Sequence, residues 1–178
     1  MPIDGLGVRI EKFDPKRHDY KGFVCGVERL DNYIIKTAKK HQSKDMTRVY
    51  VVVEDGANKI LGYHAINLGM MNVDLLQVRP SGAPSHGELP ILFLGQVAID
   101  RNAQGEGLGS ILMHHVFQKA RVISEEAGCY AVVLDVMSDG GEEDFKRRKR
   151  WYELFGFQSF KSHSSRMFMT MKQIRAVC

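Results

Sequence analysis

At 178 residues, 44% of them hydrophobic and 26% charged, the chain has the size and composition of a single domain able to bury a full core. No apolar run reaches about 18 residues and no charged-then-apolar leader opens the chain, which argues against a membrane span or a secretory signal and leads us to expect a cytoplasmic protein. Cys25, Cys129 and Cys178 are odd in number, widely spaced and without a Cys-x-x-Cys pair, so neither a disulfide framework nor a zinc site is expected.

In chain order the pattern reads as α+β, without internal repeats or low-complexity segments. Val8–Phe13 alternates like a strand, and the region near Val27 to His41 repeats apolar residues (Leu30, Tyr33, Ile34, Thr37, Ala38, His41) at helical spacing. Arg48–Glu54 and Ile60–Ile66 are β-rich runs joined by Asp55-Gly56-Ala57-Asn58, a hairpin turn signal. Gln77 to Pro90 contains Pro80, Pro84 and Pro90 with Gly82 and Gly87, and reads as a loop. A strand ending near Ile99 follows, then a helix from about Gly107 to Glu126 with Leu108, Ile111, Leu112, Val116, Ala120 and Ile123 on its apolar face. The strand Ala131–Met137, a helix through about Leu154 and two final strands complete the expected order.

The segment carrying the chemistry runs from Leu94 to Leu112. An apolar strand passes through Asp100-Arg101-Asn102-Ala103 into Gln104-Gly105-Glu106-Gly107-Leu108-Gly109-Ser110 and opens the long helix. Gly105, Gly107 and Gly109 allow backbone conformations closed to other residues, so successive N–H groups can converge on a phosphate at the positive end of the helix. A P-loop needs a lysine that is missing between Gly109 and Ser110. A Rossmann dinucleotide site needs its glycines directly after the strand and a second βαβ half; here four polar-loop residues intervene and, although Asp135 lies in the next apolar run, no second half follows.

Gln104-Gly105-Glu106-Gly107-Leu108-Gly109 resembles the Gln/Arg-x-x-Gly-x-Gly/Ala pyrophosphate loop of the GCN5-related N-acetyltransferase (GNAT) family. Leu94–Asp100 resembles that family's central strand, and Trp151-Tyr152-Glu153-Leu154-Phe155-Gly156-Phe157 resembles its C-terminal Phe-Tyr-x-x-x-Gly-Phe signature, about 45 residues after the loop. A narrower pattern, Phe23–Tyr33, Ala38 and Gly62-Tyr63-His64-Ala65, is similar to the acetyltransferase toxins of bacterial toxin–antitoxin pairs. Two features depart from these relatives: Phe145-Lys146-Arg147-Arg148 stands where many GNAT members have Asn-x-x-Ala, and Asp139–Asp144 forms a longer acidic lead-in.

The resemblance implies a GNAT fold, with a central mixed, mostly antiparallel sheet of six to seven strands, splayed at the acetyl-CoA site and flanked by helices, in one N-acetyltransferase domain over 1–178. It implies acetyl-CoA as cosubstrate and no metal. The pyrophosphate is expected on the backbone of Gln104, Gly105, Glu106, Gly107, Leu108, Gly109 and Ser110, and the pantetheine arm beside the backbone of Val97, Ala98 and Ile99. Tyr152 is the expected general acid for the departing thiolate. No general base stands out among His64, Glu54, His86, Glu88 and Asp135.

The toxin resemblance implies acetylation of the amino group of aminoacyl-tRNA and a block of translation; a metabolic or protein N-acetyltransferase acting on a small amine or a lysine is the alternative. The net charge of +4 is modest, but Lys146–Arg150 is a run of basic residues directly before Trp151. Lys36, Lys39, Lys40, Arg147, Arg148 and Arg150 are therefore expected to form, with Lys44 and Arg48, a rim that holds the phosphates of the substrate or those of coenzyme A itself. A homodimer and a small DNA-binding antitoxin of ribbon-helix-helix type are further implications of the resemblance, and no membrane partner is expected.

Overall fold

Four of the seven residues in Arg48-Val49-Tyr50-Val51-Val52-Val53-Glu54 are valines, whose branched Cβ favours the pleated strand and fills space on both of its faces. In the computed structural model, which describes residues 2–3 (backbone only), 7–83, 85, 87–161 and 163–177, this segment is strand β3, and Val49, Val51, Val52 and Val53 are completely buried. Pro84, His86 and Cys178 lie outside the described residues.

The chain divides into two compact units. The first comprises Met1–Asn67 with Gly95–Val116. Its strands β1 (Pro2–Ile3), β2 (Val8–Lys12), β3 (Arg48–Glu54) and the first part of β4 (Ile60–Asn72) pair in that order, each antiparallel to the next. The β3–β4 connection is the expected turn, with Gly56 at φ +78°. Gly62 lies where β4 passes closest to the end of β5 (Glu88–Ile99): a Cβ there would stand 2.6 Å from Ile99 Cδ1 and 3.0 Å from the Ala98 carbonyl.

The helix expected near Val27 to His41 is interrupted. It forms α1 (Glu28–Asn32), a π turn (Tyr33–Thr37) and α2 (Ala38–Ser43), and the Ala38 N–H donates to Tyr33 O, five residues back. Leu30, Ile34 and Ala38 still fall on one buried face. Tyr63, fully buried on β4, donates its hydroxyl to the Leu30 carbonyl at 2.7 Å and stacks on Tyr33, tying helix to strand.

The second unit comprises Leu68–Leu94 with Phe117–Cys178. Here β5 pairs in parallel with β6 (Ala131–Asp135), and β6 and β7 (Gln158–Ser159) flank β8 (Arg166–Thr170) antiparallel. Its core gathers Met71, Val73, Leu89, Ile91, Ala131, Val133, Phe160 and Phe168. The β5–β6 register runs from Ile91↔Ala131 to Leu94↔Leu134. Strand β5 itself continues five residues further, to Ile99. Pro90, expected in a loop, lies inside β5, where its carbonyl accepts from Tyr130 N–H.

Helix α3 spans Leu108–Glu126 and buries Leu108, Leu112, Met113, Val116, Phe117 and Ala120. Helix α4 spans Glu142–Leu154. A last helix, α5 (Met171–Val177), was not anticipated by the strand pattern; Thr170 and Gln173 cap its start reciprocally, with Thr170 N–H and Oγ1 donating to Gln173 Oε1 and Gln173 N–H donating to Thr170 Oγ1. Six strands have five residues or more, and β1 and β7 are two-residue pieces.

Candidate active site

The polar link after β5 is a capped 3₁₀ turn (Arg101–Ala103). Asp100, 3% exposed, starts it: Oδ1 accepts from Asn102 N–H at 3.1 Å and Oδ2 accepts from Val24 N–H at 3.2 Å. The Arg101 N–H in turn donates to Val24 O, and Asp100 N–H to Leu61 O. The aspartate thus fixes the end of β5 to both β4 and the 23–27 segment. An Asp two residues ahead of an N–H it can cap was the available sequence signal for this role.

Gln104 continues the same device. Its Nε2 donates to Ile99 O at 3.1 Å and to Cys25 O at 2.9 Å, so the side chain of this exposed residue braces the loop. Gly105 and Gly107 have φ of +87° and +79°, the region glycine enters without strain. Gly109 does not: it is helical, in the first turn of α3, so only two of the three glycines are needed for conformation.

Leu108, 4% exposed, pins the helix start against Val8, Ile10, Val52, Ala103 and Leu112. Among the described residues, the N–H groups of Gly105, Glu106 and Gly107 donate to no other backbone carbonyl outside regular elements, and Leu108 and Gly109 begin a 19-residue helix whose first N–H groups have no partner within it. The Ser110 N–H is already committed, donating to Gly107 O at 3.0 Å. The open donors therefore span Gly105 to Gly109, a concentration of positive dipole suited to a phosphate.

In the second unit, Tyr152 lies in the last turn of α4. Trp151 meets it edge-on at 4.9 Å and Phe157 at 5.9 Å, and the Tyr152 carbonyl accepts the N–H groups of Phe155 and Phe157. The helix ends at Gly156, φ +101°, where a Cβ would meet Met169 Cε at 3.3 Å. Burial raises the phenol's affinity for its proton, and the Arg148 charge partly offsets that. A neutral phenol with a retained proton is the state a general acid needs.

With this geometry in view, comparison with known proteins is decisive. The profile of the acetyltransferase (GNAT) domain matches residues 45–159. The chain belongs to the GNAT family. It is 36% identical over 169 residues to the probable toxin TacT of Sinorhizobium fredii, covering 94% of this chain and 93% of that protein. Its fold matches a crystal structure of KacT carrying a tyrosine-to-phenylalanine substitution (TM-score 0.86, 23% identity, 97% and 99% of the two chains). It also matches AtaT complexed with acetyl-methionyl-tRNAfMet (TM-score 0.83, 20% identity, 96% and 98%).

Other residues singled out on this GNAT chain have defined places. Val97 and Ile99 pack with the Leu108 cluster, and Ala98 is buried. The basic run on α4 is largely spoken for: Lys146 pairs with Glu142 at 2.8 Å and Glu143 at 3.4 Å, and Arg147 with Asp144 at 2.7 Å. The acidic lead-in thus neutralises the start of the run. Arg148 points back, donating through Nη1 to the carbonyls of Met137 and Asp139, and so braces that turn. Arg48 pairs with Asp45. Among the described residues, Lys36, Lys39, Lys40, Lys149 and Arg150 make no ion pair; the first three are exposed on the α1–α2 helical stretch.

The titratable residues weighed as bases are mostly engaged. His64 is fully buried, with Nε2 2.8 Å from His115 Nδ1 and Tyr50 stacked at 5.2 Å. Asp135 forms a two-point pair with Arg166, both contacts 2.7 Å. Glu54 and Glu88 are exposed, and His86 lies outside the described residues. Cys25 is half-buried, and burial with an Asp31 hydrogen bond pushes its thiol up to about 12, away from the thiolate form a nucleophile uses. Among the described residues there is no group of three metal-ligating side chains, and no helix is long and apolar enough to cross a membrane.

Proposed function

We propose that this GNAT chain is an acetyl-CoA-dependent N-acetyltransferase of the toxin type that acetylates the amino group of aminoacyl-tRNA and so blocks translation. The observation that carries the reading is 36% identity across 94% of the chain to a probable toxin, TacT. A tRNA-acetylating toxin of Mycobacterium tuberculosis, 24% identical over 89% of the chain, and the AtaT complex with acetyl-methionyl-tRNAfMet support the acceptor class. Residues 1–178 act as one N-acetyltransferase domain in this reading.

The open N–H groups from Gly105 to Gly109 take the pyrophosphate of acetyl-CoA, and Gln104 holds that loop in shape. The backbone of Val97, Ala98 and Ile99 receives the pantetheine arm and polarises the thioester carbonyl. The acceptor amine attacks that carbonyl; as the C–S bond breaks, Tyr152 gives its proton to the sulfur. An α-amino group with a pKa near 7.7–8.0 is partly neutral at physiological pH, so the step needs no dedicated base; a lysine, near 10.4, would need one. The engaged states of His64 and Asp135 agree with that economy.

Lys36, Lys39 and Lys40, with Arg150, supply the phosphate contacts for the tRNA backbone, and Arg147 contributes only through a charge already shared with Asp144. The protein works in the cytoplasm, as a homodimer, and is held in check by a small DNA-binding antitoxin of ribbon-helix-helix type; AtaT bound to the antitoxin AtaR and the KacTA–DNA complex support that partner class. The test is growth arrest on induced expression, abolished by Tyr152→Phe. Arrest that persists in Tyr152→Phe contradicts the mechanism, and harmless expression of the native chain points to a small-amine or lysine acceptor.

A further inference from the structure

Four residues before Tyr152 stands Arg148, in the stretch where this chain departs from the family's Asn-x-x-Ala. Its neighbours Lys146 and Arg147 are matched by the acidic lead-in, whereas Arg148 turns to backbone: Nη1 donates to Met137 O at 3.0 Å and also to Asp139 O. Both carbonyls belong to the turn between β6 and α4. That turn is sharp, since Gly140 and Gly141 have φ of +89° and +88°, and a Cβ on Gly140 would overlap Asp144 Oδ2. A four-residue step places Arg148 and Tyr152 on the same face of α4.

We propose that Arg148 is a positioning residue for acyl transfer: anchored to the carbonyls of Met137 and Asp139, it locks the turn that launches α4 and keeps a fixed positive charge on the residue one helical turn before Tyr152, on the same helix face. The proposal rests on Tyr152 being the proton donor. When the C–S bond breaks, its electron pair goes to sulfur and the phenol proton follows, leaving a transient phenolate. Arg148 stabilises that anion without surrendering a proton of its own, because a guanidinium stays charged throughout. The attacking amine releases its proton to solvent, and solvent returns one to the phenolate, so the balance is one amide and one free thiol.

The surroundings make this charge count. Burial raises the phenol's hold on its proton and Arg148 lowers it. The rings packed against Tyr152, Trp151 and Phe157, carry no titratable group.

The experiment uses the full chain with 3,5-difluorotyrosine at position 152, whose phenol ionises at a lower pH than tyrosine's, and follows phenolate absorbance against pH. In Arg148→Met the midpoint is expected to rise by about half a pH unit or more, and in the unlabelled variant kcat falls about tenfold with KM for acetyl-CoA within about twofold. Arg148→Lys, which keeps the positive charge, restores the midpoint. An unchanged midpoint in Arg148→Met overturns the proposal, even where Tyr152→Phe is inactive. Undiminished turnover in Tyr152→Phe overturns the proton-donor reading instead, whatever the midpoint does. Should Arg148→Met fail to fold, Arg148→Gln, which keeps an N–H donor for the carbonyls and removes the charge, carries the same titration.

Discussion

Gln104 reaches back to Ile99, its side-chain amide 3.1 Å from that residue's carbonyl, and the same nitrogen holds Cys25 O at 2.9 Å. One side chain thereby sets the spacing between the strand edge and the glycine loop. Removing it with Gln104→Ala deletes two neutral hydrogen bonds, each worth about 1 kcal/mol. The expected outcome is an increase of about tenfold in KM for acetyl-CoA with kcat changed far less, read by thiol release under initial-rate conditions.

Gly62 faces Ile99 Cδ1 and the Ala98 carbonyl so closely that a methyl there would crowd both. Gly62→Ala must turn the Ile99 side chain aside and shift the Ala98 carbonyl by a few tenths of an ångström, and overpacking of this kind costs about 1–3 kcal/mol. Urea unfolding should show a lowered midpoint with an unchanged slope. Because Ile99 and Ala98 sit where the pantetheine arm is proposed to lie, acetyl-CoA affinity should fall as well.

Glu11 gives a pH signature. Burial alone would raise its pKa, but hydrogen bonds from His18 and Arg17 and the charges of Arg17 and Arg9 outweigh that and bring it from 4.5 to about 2. A carboxylate depressed on folding stabilises the protein above its unfolded value, and that contribution is lost as pH falls from about 4.5 toward about 2. His18 Nδ1 accepts from Asp14 N–H, so Nε2 carries the proton donated to Glu11. Thermal midpoints across that window should fall less steeply with acid in Glu11→Gln than in the native chain.

Gln96 Oε1 is buried and, among the described residues, has no hydrogen-bond partner. A buried acceptor left unsatisfied costs about 1–3 kcal/mol, so Gln96→Leu should stabilise the fold and raise the thermal midpoint by a few degrees. Calorimetry of the two proteins checks it.

The two basic clusters should behave differently. Exchanging Lys36, Lys39 and Lys40 for glutamine is expected to weaken tRNA binding and to reduce the slope of log affinity against log salt by about 0.7–0.9 for each phosphate no longer neutralised. Exchanging Lys146 and Arg147, whose charges are shared with Glu142, Glu143 and Asp144, should change that slope little. Filter binding over a salt series separates them.

Much of this was legible in the chain. Periodicity placed β3 and α3, because valines on two faces and an apolar stripe of 3.6 period have few alternatives. The glycine loop announced itself, although Gly109 turned out helical, since sequence cannot tell a glycine needed for positive φ from one at a helix start. Helix α5 was missed even though Thr170 and Gln173 form a capping box, because the β-rich Arg166–Thr170 run pointed onward as strand. The roles of Arg148, Asp135 and His64 were beyond reach: each depends on a partner (Met137, Arg166 or His115) fixed by tertiary packing. A charge run in sequence does not say which of its members are already neutralised.

The most direct measurement incubates the purified chain with labelled acetyl-CoA and a pool of aminoacyl-tRNA, beside free lysine and small amines, and identifies the acetylated product by mass spectrometry. N-acetylaminoacyl-tRNA should form, with turnover reduced about 100-fold or more in Tyr152→Phe while acetyl-CoA binding is retained. Label found only on lysine or small amines, with the aminoacyl-tRNA untouched, would contradict the proposed activity.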